Sequence, residues 1–241
     1  MTAFSLEGQV ALVTGANTGI GQAIAVAMAQ AGAEVIAAGR RDCDETLALM
    51  GSGRTMRLDF TDPMAARDVF AAERIDILVN NAGIIRREDA VEFSEADWDD
   101  VMDVNLKALF FTCQAFAKAA LPRGRGKIVN IASLLSFQGG IRVPSYTASK
   151  HGVAGLTRLM ANEWAARGLN VNAIAPGYIE TNNTQALRAD PDRSKSILER
   201  IPAGRWGKPE DIGQTAVFLA APASDYVNGA VLNVDGGWLA R

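Results

Sequence analysis

Short runs of apolar residues alternate along the chain with longer segments of helical periodicity. The apolar runs end in glycine or polar residues and predict strands at 9–15, 34–39, 55–60, 76–83, 126–133, 169–177 and 229–237. Runs that are apolar throughout are typical of strands buried on both faces, as in a parallel sheet covered by helices. The chain is therefore expected to contain about seven parallel strands.

The segments between these runs carry apolar residues at spacings of three and four. They predict helices at 21–32, 66–73, 97–121, 146–168 and 209–222. The alternation of strand and helix favours a single domain over residues 1–241 with a Rossmann-like, doubly wound α/β sheet. The least regular stretch, residues 178–208, follows the carboxyl end of a strand and is the expected substrate-covering segment.

Composition narrows the function classes without selecting one. Apolar residues make up 49% of the 241 positions, and the net charge of −3 lacks the basic excess of a nucleic-acid binder. No stretch reaches the roughly 18 apolar residues of a membrane helix, and the N-terminus has no basic leader. A soluble, cytoplasmic protein is therefore expected. Cys43, Cys113 and the single His151 have neither metal-site nor disulfide spacing, so no metal is expected.

A glycine-rich turn, TGANTGIG at residues 14–21, joins the first strand to the first helix. Glycines at this place permit a tight turn and let a pyrophosphate approach the backbone at a helix N-terminus. An ordinary strand-to-helix turn is the alternative, but the position favours binding of a dinucleotide. The candidate contacts are Gly15, Asn17, Thr18, Gly19, Ile20 and Gly21.

The end of the second strand bears on which dinucleotide binds. An acid there accepts hydrogen bonds from the ribose of NAD, whereas an arginine suits the 2′-phosphate of NADP. This chain has Gly39 where the acid is expected, followed by Arg40 and Arg41. The cofactor is therefore expected to be NAD(P), with NADP(H) favoured over NAD(H). Two solvated arginines in a loop are the alternative.

Tyr146 and Lys150 are four residues apart in a predicted helix, which places both side chains on one face. The pair is either a buried hydrogen-bonded contact or an acid with the group that tunes it. Tyrosine titrates near pH 10, and a neighbouring ammonium favours the phenolate and lowers that pKa. Ser133, at the end of the fifth predicted strand, supplies a hydroxyl upstream of the pair.

Several separated motifs together resemble the short-chain dehydrogenase/reductase family. They are TGANTGIG, NNAG at 80–83, DVNL with Asn105, Ser133, the Tyr146–Lys150 pair, and APG with Pro176 and Gly177. The resemblance runs essentially from end to end. It implies that Tyr146 is the acid/base, that Lys150 tunes it and holds the nicotinamide ribose, that Ser133 orients the substrate oxygen, and that Asn105 holds a relay water.

The resemblance also implies further cofactor contacts. Asp59 and Phe60 are expected at the adenine, and Asn81, Ala82 and Gly83 on the adenosine and ribose side. Contacts with the carboxamide and the phosphates are expected from Pro176, Gly177, Ile179 and Thr181.

Stretches such as ASLLSFQGGIRVPSYTASK and NAIAPGYIETNNTQALRAD resemble one branch of the family, which acts on keto-deoxy sugar acids of the 2-dehydro-3-deoxy-D-gluconate type from uronate breakdown. The short segment between the second and fourth strands and the GRR sequence depart from that branch. Arginine suits the carboxylate of such a substrate, and the alternative for each arginine is a surface ion pair. The candidate substrate contacts are Arg142, Arg86 or Arg87, Gln138 and Asn183.

Other functions stay open at this point. Within the enzyme class they are reduction of another polyol or sugar acid, as by a gluconate 5-dehydrogenase, or of a 3-oxoacyl thioester. A non-enzymatic dinucleotide-binding regulator is disfavoured, because the residues proposed for catalysis are all present. The resemblance also implies a homotetramer, with Phe110, Phe111 and Phe116 and the C-terminal DGGWLAR as candidate contacts. The alternative is that these aromatic rings face the protein's own sheet.

Overall fold

The computed structural model describes residues 3–241, and its centre is one parallel sheet of seven strands. The strands are β1 (Val10–Thr14), β2 (Glu34–Gly39), β3 (Arg54–Arg57), β4 (Ile77–Asn80), β5 (Gly126–Ile131), β6 (Leu169–Pro176) and β7 (Val231–Val234). Their spatial order is β3-β2-β1-β4-β5-β6-β7. The predicted doubly wound sheet is confirmed.

Helices cover both faces of the sheet. They are α1 (Gly19–Gln30), α2 (Asp44–Met50), α3 (Val69–Ala72), α4 (Glu95–Met102), α5 (Ala108–Ala120), α6 (Pro144–Trp164), α7 (Gln185–Ala189), α8 (Pro191–Leu198) and α9 (Pro209–Ala220). A π-helical turn, Asp103–Lys107, connects α4 to α5. None of the helices in residues 3–241 combines the length and apolar character needed to cross a membrane.

Alternation along the central strands divides the core into two layers. On β1, Val13 belongs to the layer that contains Ile24 of α1 and Ile212 of α9. Its neighbour Leu12 belongs to the layer that contains Phe116 of α5. Successive side chains of a strand point to opposite faces, so a strand apolar at every position is buried on both sides, as the sequence predicts.

The order of the strands fixes where a ligand can bind. The chain runs outward from β1 through β2 to β3, then returns to build β4, β5, β6 and β7 on the other side of β1. In such sheets the crevice for ligands opens at the carboxyl ends of the strands where the order reverses. The segments that follow β1, β4, β5 and β6 therefore converge on one edge.

The structure corrects several predicted boundaries. The helix predicted at 66–73 is reduced to the single turn Val69–Ala72. Helix α2 was not predicted, because it has only seven residues, and it ends at Gly51 with φ of 71° in the left-handed region. Residues 178–208, the covering segment, hold α7 and α8. Ile197 and Ile201 of that segment pack with Trp206 and Trp238 in a separate apolar cluster.

Candidate active site

The conformation and packing of the glycine turn require residues without side chains. Gly15 and Gly19 have φ of 63° and 59°, a left-handed conformation that favours glycine. A Cβ on Gly21 would collide with the Gly15 carbonyl oxygen and with the Asn81 side chain. Helix α1 starts here, and the N–H groups of its first turn have no acceptor within the helix. The turn therefore offers free donors and an open backbone to an anion.

The end of β4 holds this turn in place. Asn81 donates from Nδ2 to the carbonyl oxygens of Thr14 and Gly15, both at 3.0 Å. The hydroxyl of Thr14 accepts from the backbone N–H groups of Asn81 at 3.0 Å and Ala82 at 3.1 Å. The NNAG motif thus sets the conformation of the glycine turn as well as lining the crevice.

An outer cavity of about 340 Å³ lies beside the carboxyl ends of β1, β2 and β3. The structure brings together in it the predicted residues Gly15, Asn17, Arg40, Arg41, Asp59, Phe60, Ala82 and Gly83. A Cβ on Gly39 would lie 3.1 Å from the Arg41 carbonyl oxygen and 3.2 Å from Cys43 Sγ, so the position has little room for an acidic side chain. A hydrogen bond from the Thr61 backbone N–H lowers the pKa of Asp59. The positive charge of Arg40 acts in the same direction with a smaller effect.

An inner cavity of about 160 Å³ continues from the outer one and shares Gly83 and Ile84 with it. It contains most of the remaining predicted cofactor and catalytic residues: Ile20, Asn81, Ser133, Tyr146, Lys150, Pro176, Gly177, Ile179 and Thr181. The two cavities form one trough past the glycine turn. Thr18 and Gly19 line neither cavity of the trough and instead line a separate surface pocket. Thr181 nevertheless approaches the turn, because a Cβ on Gly19 would be 3.4 Å from its methyl group.

Lys150 is buried at the base of the inner cavity. Its Nζ donates to the Ile131 carbonyl oxygen at 2.6 Å and lies 5.5 Å from the centre of the Tyr146 ring. Burial lowers the pKa of Lys150 to about 8, because removal from water disfavours the charged form.

Tyr146 is half-buried and lies where the inner cavity opens into a third, wider one. Burial raises the pKa of its phenol, while Ser133 and, to a smaller extent, the Arg87 guanidinium act in the opposite direction. The sequence predicted a pKa lowered by Lys150. In the structure the Arg87 guanidinium is a charge that favours the phenolate. The Lys150 ammonium lies 5.5 Å from the centre of the Tyr146 ring and donates to the Ile131 carbonyl oxygen.

Asn105 lies in the π-helical turn between α4 and α5 and is almost fully buried. Its Oδ1 accepts from the Ile84 N–H and its Nδ2 donates to the Ile84 carbonyl oxygen, both at 2.8 Å. Nδ2 also approaches Ser149 Oγ at 3.4 Å. The side chain therefore fixes the segment that follows NNAG. Single π-helical turns are frequent at functional sites, although the apolar periodicity of the sequence gives no signal for this one.

The wide cavity, about 670 Å³, lies under the covering segment. Ser133 and Tyr146 line both this cavity and the inner one. The predicted residues Arg87, Gln138 and Asn183 also line it. The Arg87 guanidinium donates to the Asn183 carbonyl oxygen at 3.3 Å.

The structure does not bring Arg86 or Arg142 to the wide cavity. Arg86 lines the outer cavity and pairs with Asp97 at 3.1 Å and Asp100 at 3.0 Å. Arg142 pairs on the surface with Glu88 at 2.9 Å and Asp89 at 3.0 Å. These are the surface ion pairs that the sequence left open as the alternative.

Sequence reasoning missed two arginines of the covering segment, Arg193 and Arg200, which both line the wide cavity. Trp238 lines it as well. A signal was present, since the two arginines are seven residues apart, close to two helical turns. In the structure Arg193 lies on α8 and Arg200 follows the end of that helix. The signal was weak because the segment showed no clear helical period.

Comparison with known proteins identifies the class. A family model described as enoyl-(acyl carrier protein) reductase matches residues 15–239. The chain belongs to the short-chain dehydrogenase/reductase family, as its motifs predict.

Similar proteins narrow this further. The chain is 59% identical over 251 aligned positions to 2-dehydro-3-deoxy-D-gluconate 5-dehydrogenase of Escherichia coli K12, covering 100% of this chain and 99% of that one. A crystal structure from Agrobacterium tumefaciens with bound NADP, described as a 2-deoxy-D-gluconate 3-dehydrogenase, is 72% identical with a TM-score of 0.99 and full coverage of both chains. The predicted resemblance to the sugar-acid branch is confirmed.

A further solved structure contains both a dinucleotide and a small acid. It is a gluconate 5-dehydrogenase of Burkholderia cenocepacia in complex with NADP and tartrate. It is 39% identical, has a TM-score of 0.93, and covers 99% of this chain and 98% of its own.

Proposed function

We propose that this protein is an NAD(P)-dependent oxidoreductase that transfers a hydride between nicotinamide and a keto-deoxy sugar acid of the 2-dehydro-3-deoxy-D-gluconate type. The observation that carries the proposal is the position of Tyr146 and Ser133 at the junction of the inner and wide cavities. A proton donor at that junction contacts a substrate in the wide cavity and faces a cofactor in the trough. The similar dehydrogenases support the choice of sugar acid.

The trough fits a dinucleotide. Gly15 and Gly21 let the turn pack closely against its own backbone and the end of β4, and the first N–H groups of α1 then suit a pyrophosphate. Asp59 and Phe60 line the outer end, where the adenine is expected. Lys150 and Thr181 line the inner end, where the nicotinamide ribose and carboxamide are expected. When bound, the nicotinamide supplies the hydride donor or acceptor.

The chain's own residues manage the proton. In reduction of a ketone, the Tyr146 phenol donates its proton to the substrate oxygen as the carbon gains the hydride. Ser133 donates a hydrogen bond to the same oxygen and orients it. Lys150 holds positive charge near the Tyr146 ring and stabilises the phenolate that forms when the proton leaves. Asn105 is proposed to hold the water that returns the proton from solvent. Its side chain is hydrogen-bonded to the Ile84 backbone, so the backbone of Asn105 is the proposed contact for this water.

NADP(H) is the proposed preferred cofactor. Gly39 lacks the carboxylate that would repel a 2′-phosphate, and Arg40 and Arg41 line the same cavity. Both arginines are exposed, and neither takes part in an ion pair among the described residues. A phosphate group would give them bidentate, charge-assisted partners.

The proposal includes a homotetramer in the cytoplasm. Phe110 and Phe111 are half-buried and pack edge to face with ring centres 5.3 Å apart, which leaves apolar surface for a partner copy. Phe116 is excluded from that surface, because it is fully buried in its own core. The free, buried thiols of Cys43 and Cys113 fit a reducing compartment.

Turnover with defined substrates tests the proposed function. Purified protein is assayed at the nicotinamide absorbance with 2-dehydro-3-deoxy-D-gluconate, gluconate and a 3-oxoacyl thioester, each with NAD(H) and NADP(H). The proposal predicts the highest kcat/KM for the keto-deoxy sugar acid. A higher value for gluconate or for the thioester would replace the substrate assignment, and turnover of none of them would contradict it.

A further inference from the structure

The wide cavity has an unbalanced positive charge. Arg87, Arg193 and Arg200 all line it, whereas none of its described lining residues is an aspartate or glutamate. No ion pair within residues 3–241 involves any of these three arginines. Arg86 and Arg142, by contrast, are each neutralised by two carboxylates. Unpaired guanidinium groups around one cavity favour an anionic occupant.

Arg200 is the one of the three that stacks on an aromatic ring of the described residues. Its guanidinium carbon lies 4.0 Å from the centre of the Trp238 ring, a cation–π arrangement. Trp238 itself is 4% exposed and packs against Tyr178 with ring centres 4.8 Å apart. Stacking occupies the flat face of a guanidinium and leaves its N–H edge free for a bidentate acceptor.

The same tryptophan also orients a polar side chain of the cavity. Trp238 Nε1 donates to Gln138 Oε1 at 3.3 Å. The bond directs the oxygen of the amide to the indole and leaves the NH₂ group of Gln138 as the donor available to a ligand. Arg200 and Gln138 are thus both set by Trp238, one on its face and one at its edge.

The dimensions suit one sugar acid. The cavity of about 670 Å³ falls in the range typical of small-molecule sites, about 300–1,000 Å³. Tyr146 and Ser133 mark the place of the reacting oxygen, while Arg193 and Arg200 come from the covering segment. A substrate with its alcohol or ketone at Tyr146 and an anionic group at the covering segment satisfies both sets of residues.

We infer that Arg200, assisted by Arg193 and Arg87, binds the carboxylate of the substrate and makes the enzyme select sugar acids over neutral polyols. The inference rests on the proposed function and adds which residues set its substrate class. Trp238 acts as a positioning residue, because it reaches the carboxylate only through Arg200.

Comparison of an acid with its neutral ester tests the assignment. The ratio of kcat/KM for 2-dehydro-3-deoxy-D-gluconate to that for its methyl ester is measured in the wild type, in Arg200→Gln and in Lys195→Gln. Lys195 lies on α8 between the two arginines, is exposed and does not line the wide cavity, so its substitution removes the same charge from the same segment.

Arg200→Gln is expected to lower the acid-to-ester ratio by about 10- to 100-fold, the range of a charge-assisted hydrogen bond, whereas Lys195→Gln leaves it unchanged. An equal ratio in both variants would overturn the assignment, since a general loss of structure affects acid and ester alike. If Arg200→Gln does not fold, Arg193→Gln is judged by the same ratio.

A binding measurement tests the anion site independently of the proposed function. Tartrate binding to the NADP-loaded protein, measured by calorimetry, needs no turnover. Weaker binding in Arg200→Gln than in Lys195→Gln supports the anion site even if the sugar acid is not a substrate. Equal tartrate affinity in the two variants would contradict the anion site whatever the enzyme turns over.

Discussion

Burial of the Lys150 ammonium carries a free-energy cost that methionine at the same position would remove. The pKa of Lys150 falls from 10.5 to about 8 because the side chain is withdrawn from water. Lys150→Met is therefore expected to lose activity and to change the pH dependence of stability. The change in stability can be worked out before the experiment.

The difference between the two pKa values of Lys150 corresponds to a free energy of about 3 kcal/mol. The folded-state pKa is the lower one, so the unfolded chain binds more protons between pH 8 and pH 10.5. The buried ammonium therefore destabilises the folded protein fully below about pH 8, and this destabilisation decreases as the pH rises from 8 to 10.5. Between pH 7 and pH 9 the destabilisation decreases by about 1 kcal/mol.

The loss of the hydrogen bond from Nζ to the Ile131 carbonyl acts against this gain. A hydrogen bond to a charged group contributes about 1.5–3 kcal/mol, so the net change at pH 7 is small. Loss of that hydrogen bond changes the difference in unfolding free energy between the two proteins by the same amount at every pH. The pKa difference instead sets how that free-energy difference changes with pH. The slope with pH is therefore the quantity to measure.

Denaturant unfolding of the cofactor-free wild type and of Lys150→Met, at one protein concentration and at pH 7, 8 and 9, measures that slope. The free energy of unfolding of the wild type is expected to rise by about 1 kcal/mol relative to that of the variant over this range. Lys118→Met removes an exposed ammonium from α5 and is the matched control. A difference between wild type and Lys150→Met that stays constant from pH 7 to pH 9 would refute the buried, destabilised charge.

Two further substitutions test the trough. Arg40→Gln is expected to raise KM for NADP(H) about tenfold while KM for NAD(H) stays the same, because only the former offers a 2′-phosphate to a charge-assisted bond; equal changes for the two cofactors would contradict this role. Asn105→Ala leaves the N–H and carbonyl of Ile84 without their side-chain partner. It should lower the free energy of unfolding by about 2 kcal/mol and reduce kcat, as checked by denaturant titration and steady-state kinetics. Unchanged stability in Asn105→Ala would refute the structural role.

The central strands were the most predictable part of the fold. Ala11, Leu12 and Val13 are each fully buried. A run of apolar residues at every position therefore predicts correctly that helices cover both faces of the strand. The predicted ends ran too far, because a pattern of apolar residues does not show where the hydrogen-bonded ladder stops. β4 ends at Asn80, and Asn81 already bonds to the glycine turn.

The cofactor trough was predictable for a similar reason. Its residues sit in turns directly after strands, and topology alone brings the carboxyl ends of parallel strands to one edge. Local sequence therefore carried enough information to place Gly15, Asn81 and Ser133 near one another. The π-helical turn at Asn105 was not predictable, since it depends on the tertiary contact with Ile84.

The arginines show what local sequence does not contain. Arg86 and Arg87 are adjacent, yet one pairs with carboxylates of α4 in the outer cavity and the other lines the wide cavity. Arg200 lies in a segment with no clear period and gains its position from Trp238, far along the chain. Whether an arginine is neutralised or free depends on which acids the fold brings beside it.

Tyr146 is proposed to exchange the proton with a sugar-acid substrate in the wide cavity. The most direct test follows nicotinamide absorbance for wild type and Tyr146→Phe with 2-dehydro-3-deoxy-D-gluconate, while the affinity for NADP(H) is measured by fluorescence on both proteins. Turnover in the wild type, its loss in Tyr146→Phe and an unchanged cofactor affinity are the predicted results. Turnover in Tyr146→Phe close to that of the wild type would contradict the account.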